Sequence, residues 1–230
     1  MAATAVITGG TGGLGRAVTA RFLDAGWRVV VPWIVPGERD AIPAQDGLEL
    51  VEADLFDAAG VGAVVDLAAA DPDRPLQAVV NLVGGFAAGG KVHETPVEEF
   101  EDQLRLNLRA TYLVSQAALP HLVAAGGGAI TAVSSRAALR PFAGAAGYVT
   151  SKLAVLGLVD SLAAEYRDEG VRVNAVLPSV IDTPGNRAGQ PGADHSRWVA
   201  PDQIAGVVLF LSGPDATAVS GAHVPVYGRA

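Results

Sequence analysis

The chain has no cysteine among its 230 residues, so neither a disulfide framework nor a thiolate metal site can be built from it. Histidine is scarce too. His93, His121, His195 and His223 lie far apart, without the spacing of metal ligands, and no metal site is expected. Only 17% of residues are charged, and acidic groups outnumber basic ones by 24 to 16. The resulting net charge of −8, spread along the chain, argues against nucleic acid or an anionic membrane as a partner. No apolar run reaches the ~20 residues of a membrane span. The opening Met-Ala-Ala-Thr-Ala-Val-Ile has no basic stretch and leads straight into a strand pattern. A cytoplasmic protein without a signal peptide is therefore expected.

What is present is a half-hydrophobic chain, long enough for one substantial core and short for two. One domain over residues 1–230 is the expectation. Apolar runs at 3–8, 27–31, 48–51, 76–82, 129–133, 171–177 and 223–226 read as strands. Helical stripes alternate with them. The first joins Leu14, Ala17, Val18, Phe22 and Leu23 and stops near Gly26. Others cover 57–70, 97–124 with Pro120 as the place for a bend, 148–169 and 201–211. Residues 32–47 read as irregular, and 178–199 as a loop or short helices, with 184–199 expected to be a substrate loop. Most strands are continuously apolar, the mark of strands covered on both faces. The pattern specifies an α/β fold: a Rossmann-like, doubly wound parallel sheet of about seven strands with helices on both faces.

Directly after the first strand stands Thr8-Gly9-Gly10-Thr11-Gly12-Gly13-Leu14-Gly15, and a helix follows. In that context glycines let backbone N–H groups approach a pyrophosphate at the positive end of the helix. A dinucleotide cofactor, NAD or NADP, is expected there. Discrimination between them belongs at the end of the second strand, where a carboxylate suits a ribose hydroxyl and an arginine suits a 2′-phosphate. This chain has Pro32-Trp33-Ile34-Val35, which is neither, and the nearest charges are Glu38 and Arg39. The preference stays open.

Tyr148 and Lys152 lie at i and i+4 of one helix, a spacing that places an ammonium beside a phenol. A free phenol has a pKa of about 10 and is a slow acid near neutrality. A neighbouring positive charge is expected to lower it. Ser135, at the end of the fifth strand, can hold a substrate oxygen in place. Its neighbour Ser134 points the other way and reads as supporting. Phe86, Phe142 and Trp198 stand in the loops that flank this site, where they either line a pocket or serve packing.

Together these residues resemble the short-chain dehydrogenase/reductase family over essentially the whole chain. Asn107, Ser135, Tyr148 and Lys152 match the family's catalytic tetrad in order, including the step of thirteen from serine to tyrosine. The resemblance implies a cofactor cradle of Thr8, Gly9, Thr11, Gly13, Leu14, Gly15 and Trp33, with Asp54 and Leu55 after the third strand. It adds Asn81, Val83 and Gly84 after the fourth, Tyr148 and Lys152 on their helix, and Pro178, Ile181 and Thr183 after the sixth. Ser179 stands where the family usually has glycine, and Asn81-Leu82-Val83-Gly84 is a looser match. The implied reaction is hydride transfer between nicotinamide and a carbonyl or alcohol, with Tyr148 as general acid or base. The implied assembly is a homodimer or homotetramer. The loops at 84–90 and 177–187 are also similar to those of the dihydropteridine reductases, which makes a reductase of that type the alternative. A non-catalytic dinucleotide sensor is a further one, although such proteins usually lose the tyrosine or lysine kept here.

Overall fold

The computed structural model describes residues 3–229. Strands β1 (Thr4–Thr8), β2 (Arg28–Trp33), β3 (Leu48–Glu52), β4 (Leu76–Asn81), β5 (Gly128–Val133), β6 (Val171–Pro178) and β7 (His223–Val226) form one sheet in the order β3-β2-β1-β4-β5-β6-β7. Every pairing is parallel. All five residues of β1 are buried, as a strand with neighbours on both sides and helices on both faces requires.

Alternate residues of the strands feed two cores. Val6, Val79, Ile130 and Val173 face helices α3 (Ala58–Ala69), α5 (Ala110–Ala124) and α7 (Ala146–Glu165). Ala5, Ile7, Val29 and Val80 face α1 (Gly15–Asp24) and α9 (Pro201–Ser212), which contribute Phe22, Ile204 and Val208. The Asp57 carboxylate caps α3 by accepting from the Gly60 N–H at 3.0 Å.

Four expected boundaries move. β2 runs on through Pro32 and Trp33, paired with Val51 and Glu52 of β3. Pro32 lies past the residues of β2 that pair with β1, so its missing N–H breaks no ladder bond on that side. Residues 36–40, expected to be irregular, form the short helix α2 (Pro36–Asp40), with its proline in the first turn where an N–H is not needed. The helix expected over 97–124 is α4 (Val97–Leu104) and α5, joined by a π turn at Arg105–Arg109. The break is at Asn107 and not at Pro120, which lies inside α5. Helix α7 stops at Glu165 because Gly170 (φ +74°) turns the chain into β6, with the Val171 N–H bonded to the Tyr166 carbonyl at 3.2 Å.

The segment 178–199 contains α8 (Pro184–Gly189) and a 3-10 turn at His195–Arg197, and a parallel bridge between Ile181 and Val199 closes its base. A fully buried asparagine ties β6 to the chain leading into β7. Asn174 Nδ2 donates to the Val219 carbonyl at 2.9 Å, and its Oδ1 accepts from the Ala222 N–H at 3.0 Å. Asn174→Ala leaves both main-chain groups unpaired, which should cost about 2–4 kcal/mol. Urea unfolding should show a lower midpoint at unchanged slope; an unmoved midpoint would refute this account of the β6–β7 edge.

Candidate active site

Because all seven strands are parallel, their carboxyl ends share one edge of the sheet. Thr8, Trp33, Asn81 and Pro178 end their strands there, and Ser135 follows β5 by two residues. Ligands of open α/β sheets bind outside that edge. The glycine turn crosses it under tight constraint. Gly9 has φ +66°, and a Cβ there would stand 3.2 Å from the Val83 nitrogen. A Cβ on Gly15 would overlap the Gly9 carbonyl, and one on Gly13 would lie 2.9 Å from Thr183 Cγ2. The turn therefore touches both the chain after β4 and the chain after β6. The first turn of α1 has no acidic residue. Close backbone approach and a helix N-terminus without an acidic residue in its own first turn fit the pyrophosphate of a dinucleotide.

Within this cradle several side chains face the protein itself. Thr8 Oγ1 accepts from the N–H groups of Leu82 (3.1 Å) and Val83 (3.4 Å) and lies 3.4 Å from the Val80 carbonyl. It staples β1 to the end of β4. Asn81 is buried, with Nδ2 donating to Ser115 Oγ at 3.3 Å and no protein partner for Oδ1 among the described residues. Asp54 accepts from the Phe56 N–H at 2.9 Å, and Leu55 is buried. Thr183 Oγ1 caps α8 by accepting from the Asn186 N–H at 3.2 Å. Leu14, Val83, Pro178 and Ile181 line the same edge through backbone or apolar atoms, Leu14 and Ile181 packing on the core. Thr11 has a partner that the sequence did not indicate: its hydroxyl donates to Glu38 Oε2 at 2.8 Å.

Ser135, Tyr148 and Lys152 meet at the end of β5. Ser135 leads into the short helix α6 (Arg136–Leu139), and its Oγ accepts from the Ala137 N–H at 3.1 Å. The Tyr148 phenol lies near enough to that hydroxyl for Ser135 to act on its pKa. Lys152 is buried, and its Nζ donates to the Val133 carbonyl at 3.1 Å. Ser134 points away as expected and donates to the Lys152 carbonyl at 2.7 Å, fixing α7 against β5.

Asn107 sits in the π turn between α4 and α5, a feature often found at functional sites. Its amide is fully engaged. The two hydrogens of Nδ2 are shared among the Gly85 carbonyl (3.2 Å), the Gln103 carbonyl (3.1 Å) and Ser151 Oγ (3.1 Å), and Oδ1 accepts from the Gly85 N–H at 3.0 Å. The side chain thus clamps the chain at 84–85 onto α7. Gly84 fills the remaining space: a Cβ there would stand 2.6 Å from Asn107 Oδ1 and 2.9 Å from Lys152 Nζ. Gln103 and Ser151 belong to this cluster and carry no signal in the sequence beyond helical spacing.

Burial governs the electrostatics. Desolvation lowers the Lys152 pKa to about 8. The Tyr148 pKa is raised, chiefly by burial, with the nearby Ser135 hydroxyl acting in the opposite direction as the lesser effect. The expectation that Lys152 lowers the phenol pKa is therefore corrected for this arrangement. The ammonium is itself destabilised by burial, and its bonded partner is the Val133 carbonyl. Phe86 meets the Tyr148 ring edge to face, with centroids 4.9 Å apart. Trp198 packs against His195 and lines a surface pocket with Arg136, Val180, Asp194 and Arg197.

The family model for short chain dehydrogenases matches residues 3–193. The 2-(R)-hydroxypropyl-CoM dehydrogenase of Xanthobacter autotrophicus is 35% identical, over 99% of this chain and 98% of that protein. The D-threitol dehydrogenase of Mycolicibacterium smegmatis is 31% identical, over 97% and 91%. Among solved structures, a blue fluorescent protein from a metagenomic library, in complex with NADPH, superposes with a TM-score of 0.87 at 30% identity, over 98% of this chain and 96% of that one. The chain belongs to the short-chain dehydrogenase/reductase family and is an NAD(P)-dependent oxidoreductase of that type.

Crowding at Gly84 is directly testable. Gly84→Ala forces either Asn107 or Lys152 to move and should cost roughly 1–3 kcal/mol, as overpacking does. Gly62→Ala, in α3 with no atom near its Cβ, should instead be neutral or stabilising by up to about 1 kcal/mol. Equal thermal midpoints for the two variants would show that Gly84 is not needed for space.

Proposed function

We propose that the protein interconverts a small-molecule carbonyl compound and its alcohol, with Tyr148, Ser135, Lys152 and Asn107 as the working set. The observation that carries this reading is the meeting of phenol, serine hydroxyl and buried ammonium on the same edge as the glycine turn. The nicotinamide dinucleotide supplies or accepts the hydride when bound. In reduction Tyr148 would give its proton to the substrate oxygen as the carbonyl carbon takes up the hydride that a bound dinucleotide would supply. A phenol with a raised pKa keeps its proton through neutrality, which suits it to donate. Ser135 holds the same substrate oxygen. Its lone pair already accepts from the Ala137 N–H, so its own proton is free to donate. Lys152 uses one donor on Val133, and its others would be open to the nicotinamide ribose. Asn107 positions this group by holding the π turn, the chain at 84–85 and α7 together.

The choice of dinucleotide rests on Glu38. β2 ends in Trp33 without an acid, but α2 brings the Glu38 carboxylate to the Thr11 hydroxyl on the glycine turn. A carboxylate there accepts from a ribose hydroxyl and repels a 2′-phosphate, which favours NAD(H). The opposing charge is Arg16, whose Nε donates to the Thr11 carbonyl at 2.9 Å. Exposed Tyr112 on α5 and Leu153 on α7 support assembly through these helices into a homodimer or homotetramer. No described helix is long and apolar enough to cross a membrane, which is consistent with a cytoplasmic location.

Two measurements test this reading. Tyr148→Phe should lower kcat by at least about a hundredfold, the usual scale of general acid–base assistance, with the dissociation constant for NADH unchanged. Turnover close to that of the parent would remove the phenol from the chemistry. Fluorescence titration should show tighter binding of NADH than of NADPH, by tenfold or more (about 1.4 kcal/mol), and Glu38→Gln should narrow the gap. Tighter NADPH binding in the parent would mean that Arg16 outweighs Glu38.

A further inference from the structure

Two loops rise beside Tyr148, one after β4 and one between α6 and α7. They are tied to each other: the Gly89 N–H donates to the Gly144 carbonyl at 2.8 Å. Gly144, at φ +82°, has no room for a side chain, because a Cβ there would lie 2.6 Å from the Gly89 carbonyl oxygen. At the base of the first loop, Gly85 is bonded in both directions by the Asn107 amide. The loops are thus held to each other and to the site.

Each presents a phenylalanine to solvent. Phe86 is 61% exposed and Phe142 is 50% exposed, with ring centroids 6.3 Å apart. Phe86 also makes the edge-to-face contact with the Tyr148 ring. A single exposed phenyl needs no explanation. Two adjacent ones, fastened beside a phenol that handles a proton, form an apolar surface of the kind that binds ligands. Packing does not account for them, since half or more of each ring remains open.

We infer that the physiological substrate carries a flat aromatic ring directly on the reacting carbon, as in an aryl aldehyde, an aryl ketone or the matching aryl carbinol. The assignment rests on the oxidoreductase reading above and adds the substrate class to it. A ring bonded to the reacting carbon lies next to the oxygen that Tyr148 serves, and so beside Phe86. Aromatic rings prefer offset or edge contacts with centroids 4.5–7 Å apart, the range in which Phe86 already meets both Tyr148 and Phe142. A puckered ring of equal size buries similar area but lacks that contact geometry. Discrimination should therefore follow ring flatness and not size.

The experiment compares acetophenone with cyclohexyl methyl ketone, each with saturating cofactor, in the parent and in Phe86→Leu, Phe142→Leu and the double variant. Leucine keeps the surface apolar and removes the aromatic contact. The parent should favour acetophenone in kcat/KM by about fivefold or more, within the range expected of one or two aromatic pairs. The ratio should fall in each single variant, mainly through KM, and approach one in the double variant. NADH affinity, read by fluorescence, should stay at the parent value, showing that the fold and cradle are intact. A parent ratio near one, or a preference that survives both substitutions, overturns the aromatic assignment and leaves the oxidoreductase reading standing. No turnover of either ketone or of a wider carbonyl and alcohol panel, with NADH bound, overturns both.

Discussion

The Lys152 ammonium is buried where β5 ends, with a main-chain oxygen as its bonded partner, and the surrounding loops are shaped by that placement. Burial lowers its pKa from the usual 10.5 to about 8. Since the folded value is the lower one, the unfolded chain takes up the proton first as pH falls. The cost to stability therefore grows from about pH 10.5 down to pH 8 and is fully present below that. The fold keeps this charge although a neutral residue would be cheaper, which is how sites that serve a ligand differ from cores that only pack. Gly84 and the Asn107 clamp follow from it. Gly84 fits beside Nζ only because it has no side chain, and the Asn107 amide holds the adjoining chain there without adding a carboxylate.

The phenol shows how far one spacing rule reaches. An i, i+4 pair puts Tyr148 and Lys152 one turn apart on α7, and the step of thirteen from Ser135 brings strand end and helix together. Neither says how deeply each group lies. Depth comes from α4, the loop after β4 and Phe86, all remote in sequence, and depth decides the direction of the Tyr148 shift. A bound cofactor or substrate adds charges of its own, so a raised pKa describes the resting poise of the site and suits the proton-donating direction.

Much of the remainder was legible for physical reasons. Continuously apolar strands announced a parallel sheet covered on both faces, and the glycine turn announced the cradle. Other features were hidden for equally physical reasons. The π turn adds a residue to one helical turn and rotates everything after it, so a 3.6-residue stripe drawn through 97–124 hides the break. Pro120 drew attention because proline usually bends helices, yet it lies inside α5. Glu38 is named in the sequence as a nearby charge but is not placed by it, because a five-residue helix shows no stripe and the sequence rule looks for an acid at the strand end. The acid stands five residues beyond Trp33, returned to the glycine turn by α2.

Donor accounting separates the hydroxyls that build the site from those left for chemistry. Thr8, Ser134, Ser151 and Thr111 each face a main-chain carbonyl, of Val80, Lys152, Tyr148 and Asn107 respectively. Such bonds fix one strand end or helix turn against another, and their protons are not available to a ligand. Ser135 differs, because its oxygen accepts from the Ala137 N–H and its proton is not committed to the main chain. The Tyr148 hydroxyl faces that serine, and Lys152 has donors beyond the one spent on Val133. The uncommitted protons thus belong to three residues gathered within one end of β5 and one turn of α7. A buried polar group without a partner is costly, so a cluster that retains unspent donors is complete only when a ligand oxygen arrives to accept them.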